Sequence, residues 1–442
     1  MVAPLMEETE KGKSALINNA KPKIEEEEEE QQVVKVWSWG AGTDGQLGTG
    51  RLHDELSPQL LNLSSLSSVS MLACGGAHVL ALTSPSSVIG GKVFSWGRGS
   101  SGQLGHGEMV DALYPKPVTF FDGHRYTITH ISAGWNHSGF VSDSGCLFTC
   151  GDGTFGQLGH GDYRSHSSPV KVSSFVNKNV HQIACGMRHS LVLLKDCLGN
   201  QVYGFGSGKR GQLGVSKDRI RSVSLPQVTI GLHDIEIVGI SANGDRSAAL
   251  SAEGHLYTWG RGFNSTSDVN CPQSLPSSLS FSQAALGWNH VLVLTGDGEV
   301  LMLGGSHHGM LSDPERVSST RPLSVALEKV SNLDGVKVIQ IAAGAEHSAV
   351  VTGKFHWVRL FIISYTPFFP PFFINVIAEN RAIMTWGWGE HGQLGLGNTC
   401  DQIHPKVVNL GDEFQNRDTQ LEVFCGSGFT YAISRHCLPS QT

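Results

Sequence analysis

A ten-residue pattern closing on Gly-Gln-Leu-Gly returns again and again along this chain, and it constrains the fold more than any other feature. "WGAGTDGQLG" starts at Trp39 and recurs as "WGRGSSGQLG" from Trp96, "CGDGTFGQLG" from Cys150, "FGSGKRGQLG" from Phe205 and "WGWGEHGQLG" from Trp386. Two decayed copies, "WGRGFNS" from Trp259 and "LGGSHHGMLS" from Leu303, keep the leading apolar-Gly pair and bring the number to seven. Between these turns lies a second anchor, Ala-Gly-x-x-His-Ser followed by an alternating apolar run. Its His position is held by His78, His137, His189, Arg246, His290, His347 and Phe429. Seven turns and seven anchors alternate.

The short runs flanking these motifs, such as Val93 to Trp96 and Leu256 to Trp259, are β-prone and bounded by Gly, Asp and Asn. No long 3.6-residue apolar period with caps is found in the body, so helices should be scarce. Strand-only repeats of about 50 residues cannot each bury both faces, and they stack into propellers or solenoids. The expectation is an all-β, seven-bladed propeller over residues 33–435. The strand "VVKVWSWG", Val33 to Gly40, should complete the last blade and pair its open edge.

Gly40, Gly42 and Gly45 also fit G-x-G-x-x-G, the phosphate-cradling turn of dinucleotide enzymes. That reading needs a helix after the turn and an acid about 20 residues on. The residues after Gly48 are "TGRLHDELSPQLLNL", interrupted by Pro58, and five copies in one chain exceed any cofactor's need. The glycines are expected to serve tight turns, which Gln and Leu of Gly-Gln-Leu-Gly fasten by a hydrogen bond and an apolar contact. No cofactor is expected.

The paired motifs resemble those of the regulator of chromosome condensation family across Val33 to about Ser434. The resemblance implies a seven-bladed propeller, whose founding member opens the nucleotide site of a Ran-type small GTPase. Other branches are a plant ultraviolet-B receptor and interaction domains of ubiquitin ligases and trafficking proteins. The exchange-factor branch replaces a turn near its third repeat with an irregular wedge, whereas the third turn here, Gly151 to Gly159, is regular. The receptor branch stacks Trp from G-W-R-H-T in consecutive repeats. Here only Trp135 and Trp288 fill that position, in the second and fifth anchors, and three blades of separation should keep them from stacking.

Two positions between Gly and His in each anchor should encircle the channel mouth. They place Trp135, Asn136, Met187, Arg188, Asp245, Trp288, Asn289 and Glu346 on one face, beside the smaller Gly76, Ala77, Gly244, Ala345, Ser427 and Gly428. Two Trp, an Arg and two acids suit a protein-binding face. The histidines, one per blade, should each bond a backbone carbonyl of their own blade rather than converge on a metal. Cys74, Cys185 and Cys425 are expected as small buried thiols. No nucleophile, base and oxyanion set is recognisable by spacing, which argues against hydrolytic or redox enzymes. A non-enzymatic interaction propeller is the first expectation. Guanine-nucleotide exchange on a small GTPase and ultraviolet-B sensing are the alternatives.

Net charge is −7, of which residues 1–32, with nine Glu and four Lys, carry −5. That segment reads as a disordered acidic tail, with residues 436–442 a second short tail. The near-neutral body has no basic stripe for nucleic acid. Nine scattered Cys without a C-x-x-C suit a reducing, cytoplasmic or nuclear setting. A protein partner is expected, with no membrane association, and the chain as a monomer or weak dimer.

One segment breaks the repeat. From the His position to the next turn the chain advances 13 residues at His137, Arg246 and His290, but 39 at His347. The excess matches "GKFHWVRLFIISYTPFFPPFFINVIA", residues 353–378, which holds eight aromatic residues and no acid. A retained intron or gene-model insertion accounts for it, Gly-Lys being a splice donor read as codons. Pro367, Pro370 and Pro371 argue against a membrane-spanning helix there.

Overall fold

The computed structural model describes residues 32–437, apart from 62–65, 67, 85–90, 125, 197–198, 219, 264–266, 306–326, 354–357, 362–372, 377–380 and 412–418. Most of both expected tails, 1–32 and 436–442, thus lies outside the described residues.

Period-two alternation around Gly-bounded turns gives strands, and they assemble as seven four-stranded antiparallel sheets. Blade 1 runs Val69–Cys74, His78–Thr83, Val93–Gly97, Ala112–Pro117; blade 2 runs Ile128–Ala133, His137–Ser142, Leu147–Gly151, His166–Lys171. Blade 3 is Val180–Cys185, His189–Asp196, Gly199–Ser207, Ser222–Val228, and blade 4 is Ile237–Asn243, Arg246–Ser251, Leu256–Gly260, Val269–Ser274. Blade 5 is Phe281–Leu286, His290–Thr295, Val300–Gly304, Glu328–Lys329, and blade 6 is Val338–Ala343, His347–Thr352, Ile383–Gly387, Gln402–Val407. The first strand of each blade lies innermost and touches those of both neighbours around a closed ring.

Blade 7 is shared between the chain ends. Gln420–Cys425 and Phe429–Cys437 supply its inner half, Gln32–Gly40 and Glu55–Leu60 its outer half. The closing ladder runs unbroken from Gln32 opposite Cys437 to Gly40 opposite Phe429. Closure removes the two edges an open seven-blade array would expose.

The second strand is buried at every residue in blades 1, 2, 5 and 6, while outer strands such as Ala112–Pro117 are largely solvent-facing. The apolar clusters lie between blades rather than within them. Val79 and Trp96 of blade 1, for example, pack with Phe429 and Tyr431 of blade 7 and with Leu47. A lone blade would leave both faces wet, so stability comes from stacking. Burying each large side chain contributes about 1.5–3 kcal/mol.

The Gly-Gln-Leu-Gly turns, here called teeth, behave as the sequence predicts. Gly40, Gly45 and Gly48 sit at φ +102°, +77° and +68°, the left-handed region. The Gln46 side-chain Oε1 accepts from the Asp44 N–H at 2.9 Å, and the equivalents Gln103, Gln157, Gln212 and Gln393 repeat the bond. Leu47, Leu104, Leu158, Leu213 and Leu394 are buried. Each tooth also leans on the next blade: a Cβ on Gly48 would come within 2.9 Å of the Trp96 indole nitrogen, and one on Gly395 within 2.8 Å of that of Trp39.

The hairpin between second and third strands is closed by a hydroxyl clasp. Ser142, Ser251 and Thr295 each accept, through the side-chain oxygen, the backbone N–H of the residue four positions on. In blade 6 the same clasp joins Thr352 to Ala382, 30 positions apart, at 2.9 Å. Blade 6 therefore closes its hairpin with 26 surplus residues looped out. Within them, Val358–Phe361 and Phe373–Val376 pair as a separate two-stranded ribbon. Among the described residues no helix is long and apolar enough to cross a membrane.

Candidate functional site

Each second strand starts where the third ends, as His78 opposite Gly97 shows. Anchors and teeth therefore share one end of every blade, and together they form the mouth face of the channel. A ring of backbone hydrogen bonds binds the anchors to one another. Gly76 N donates to Gly134 O, Trp135 to Gly186, Met187 to Gly244, Trp288 to Ala345, Ala345 to Ser427 and Ser427 to Gly75, all at 2.8–3.1 Å. Between blades 4 and 5 the Asn243 side chain takes over, donating to Leu286 O at 2.8 Å.

At the centre, Trp135 and Trp288 meet with ring centroids 5.2 Å apart and planes tilted by 48°. The expectation that three blades of separation would hold them apart was wrong. Both side chains line one small cavity at the centre of the mouth, where they reach each other across the ring. Small neighbours make room. A Cβ on Gly76 would approach Trp135 ring carbons to 2.9 Å, and one on Gly244 would lie 3.2 Å from Trp288 Cδ1. Beneath the indoles is a cavity of about 60 Å³, to which Met187 and Cys185 contribute. It lies at the head of a channel of about 300 Å³ lined by inner strands of all seven blades, Cys74, Cys185 and Cys425 among them. Burial pushes the Cys185 and Cys425 thiols up to about 12, so both are protonated and poorly nucleophilic.

The other sequence-predicted residues surround this plug. Asn289 Nδ2 donates to Glu346 Oε1 at 2.9 Å, and Asp245 Oδ1 accepts from Gln212 Nε2 at 3.1 Å. Asn136 is half-buried; its main-chain oxygen accepts from Asp152, while its side-chain Oδ1 is buried without a partner among the described residues. Arg188 is exposed, its guanidinium 4.9 Å above the ring of Phe155 from the third tooth. Phe155 was not anticipated, nor were Trp388 and His391 of the blade 6 tooth, which meet edge-on at 5.1 Å. Nor was the bidentate pair of Arg98 with Asp44, at 2.7 and 2.8 Å, which joins two teeth. All occupy variable positions of the tooth, where an aromatic ring in place of Ala41 (Trp388) or of Asp44 (Phe155, His391) is the available signal.

The histidines also require correction. They bond hydroxyls of the next blade, not carbonyls of their own. His78 Nε2 lies 2.9 Å from Ser138 Oγ, which donates onward to Gln103 O at 2.7 Å. His137 with Ser190 and Gln157, His189 with Ser247 and Gln212, and His347 with Thr430 and Gln393 repeat the relay. The hydroxyl's single proton goes to the carbonyl, so the imidazole must carry its proton on Nε2. Burial holds these rings neutral, lowering His78, His189 and His347 to about 3 and His137 to about 4. Thus the Ser of Ala-Gly-x-x-His-Ser serves the histidine of the preceding blade. The relay is structural, and the face it supports offers aromatic and paired polar groups suited to recognition.

Comparison with known proteins agrees with this geometry. The RCC1-like domain model matches residues 35–358, and the regulator of chromosome condensation (RCC1) repeat model matches residues 383–433. The chain is 29% identical to the ultraviolet-B receptor UVR8 of Arabidopsis thaliana over 379 residues, covering 84% of this chain and 77% of that one. It is 27% identical to the secretion-regulating guanine nucleotide exchange factor of Bos taurus over 430 residues, covering 90% and 82%. The crystal structure of Prp20p from Saccharomyces cerevisiae superposes with a TM-score of 0.72 at 22% identity, covering 93% of each chain. Seven blades, a shared closing blade and paired tooth and anchor motifs place this chain in the RCC1-like family of seven-bladed propellers.

Proposed function

We propose that this propeller is a non-enzymatic docking platform that holds a protein partner on its mouth face. The observation that supports this most is the indole pair at the centre of that face. Trp135 and Trp288 are half-buried, ringed by the Arg188–Phe155 stack and the Asn289–Glu346 pair. A central aromatic anchor inside a polar rim is the usual anatomy of an interface hot spot. Partner capture by the intact chain and by Trp135→Ala with Arg188→Ala tests the reading. Loss of bound partners from the double variant, with unchanged thermal unfolding, is expected; an identical partner set would refute it.

Guanine-nucleotide exchange is the second reading, favoured by similarity to an exchange factor over 90% of this chain. Against it, the third tooth is regular: Gly156 and Gly159 hold positive φ, and Leu158 is buried. Nucleotide release from a panel of small GTPases should proceed at its intrinsic rate with and without the protein. Acceleration of any member would overturn the first reading in favour of this one.

A further inference from the structure

The blade 4–5 interface lacks both an intact tooth and the relay, whereas between blades 7 and 1, where Phe429 and Val79 replace His and hydroxyl, the Trp96 indole donates to the Tyr431 hydroxyl, which donates to Gln46 O. At the junction of blades 4 and 5, Arg246 stands where the other blades of the relay carry His, and Val291 stands where the next blade offers a hydroxyl. The blade 4 tooth, "WGRGFNS", lacks Gly-Gln-Leu-Gly. In intact teeth the leucine packs beside the second glycine: Cβ atoms on Gly42, Gly99 and Gly208 would lie 2.9, 3.0 and 3.2 Å from Leu47, Leu104 and Leu213 Cδ1. The corresponding glycine, Gly262, instead borders an apolar cavity of about 160 Å³. Its walls include Phe263, Val269, Leu275 and, from blade 5, Leu303 in the position that Trp holds in four blades.

Behind this wall Arg246 is 2% exposed. Its guanidinium lies 4.4 Å from the Phe263 ring centroid, and Nη2 donates to Gly262 O at 2.6 Å. Among the described residues, Nε and Nη1 are buried with no partner. Such unpaired donors are costly and call for an acceptor. In the complete relays the tooth's Gln carbonyl is that acceptor, reached from His through one hydroxyl. Arginine is longer than histidine by about the span of that hydroxyl, so it can reach such a carbonyl directly across Val291.

We propose that the blade 4–5 junction is a docking slot for a partner segment that inserts a leucine side chain and presents the preceding carbonyl to Arg246. The occupant is specified by the protein's own five intact teeth, each of which buries a leucine after a hydrogen-bonded Gln carbonyl. The slot adjoins the mouth face and rests on the docking-platform reading, as the anchor point for a partner's loop.

The probe is a synthetic peptide with the sequence of Gly42–Gly50, titrated into the full chain and followed by methyl NMR of Leu303, Val269 and Leu275. Saturable shifts at these methyls are expected. They should weaken at least about tenfold when alanine replaces leucine in the peptide, and likewise in Arg246→Met. Leu303→Trp, which places here the residue found in four of the blades and fills the slot, should abolish them. Trp135→Ala with Arg188→Ala should leave peptide binding intact, which separates failure of the slot from failure of the wider face. Absence of shifts, equal binding of the alanine peptide, or a crystal structure in which the chain's own 264–266 loop or ordered water satisfies Arg246 would overturn the proposal.

A second observation stands independently. The Thr352–Ala382 clasp has the geometry of the four-residue clasps although 30 positions separate its ends. Gly353-Lys354 can be encoded by GGTAAG, which contains the splice donor GTAAG, and Ala378-Glu379 by GCAGAA, which contains the acceptor CAG. Cutting at these points joins G to AA, a Glu codon, so the product reads Thr352-Glu-Asn380 in frame. Phe368 to Phe373, "FFPPFF", specifies a nearly unbroken pyrimidine run just upstream of that acceptor. We infer that residues 353–378 translate an unspliced intron, and that the native propeller closes blade 6 with a short hairpin. Tryptic mass spectrometry of native protein should find VIQIAAGAEHSAVVTENR, and transcripts should cross the junction. Detection of VIQIAAGAEHSAVVTGK with no junction transcript would overturn the inference.

Discussion

Neutral, buried imidazoles set how this molecule responds to acid. Five anchor histidines are wholly buried, and burial depresses all five, to about 3 or 4. In the unfolded chain they would take up protons near pH 6.5. The folded pKa values are the lower ones, so the stability these groups contribute is complete above about pH 6.5. It falls as pH drops from there towards 3–4, as the unfolded state binds protons the native state refuses. Urea denaturation should show this decline across pH 6.5 to 4, with a smaller slope in His189→Gln. Within one relay, His189→Ala removes the donor to Ser247 and should cost about 1–3 kcal/mol by the same measurement. At the mouth, Gly76→Ala should disturb the indole pair, because the new Cβ falls 2.7 Å from Trp135 O. Its near-UV circular dichroism should change while far-UV signal persists, whereas Ser427→Ala at the equivalent position of blade 7 should change neither.

The tooth is the element on which every blade is built. It clamps its own turn through Gln, buries Leu and leans on the next blade's third strand, so losing one tooth loosens two blades. The blade 6 hairpin behaves in the opposite way, its clasp forming whatever lies between the partners. Joining Thr352 to Glu379 should therefore leave the fold intact and raise stability by about 2 kcal/mol through a shorter closed loop. A rise in unfolding midpoint and an unchanged far-UV spectrum are the expected readings; loss of a cooperative transition would show the segment to be structural.

The whole ring depends on its closing blade. Trp39 is fully buried there, and its indole donates to Gln393 O of the blade 6 tooth at 2.9 Å. A chain starting at Gly42 loses strand Gln32–Gly40 and opens two edges. It should elute as aggregate in size-exclusion chromatography, while removal of residues 1–31 should leave the elution volume of the folded protein and its unfolding midpoint unchanged.

Strand class, blade number, closure by Val33 to Gly40 and the duty of each glycine were legible in the sequence, because repetition fixes period and local turn chemistry. The first of the two anchor positions, in Gly76, Trp135, Met187, Gly244, Trp288 and Ser427, lines the cavity at the mouth. The repeat could not show which side chains meet across a gap. Trp135 and Trp288, from the second and fifth blades, touch across the mouth, and each imidazole finds its hydroxyl across the seam to the next blade. The apolar cavity lined by Phe263 and Leu303 likewise exists only between two blades. Local sequence determines the turn and the strand, whereas contacts between blades depend on the radius at which seven of them close, and that belongs to the ring as a whole.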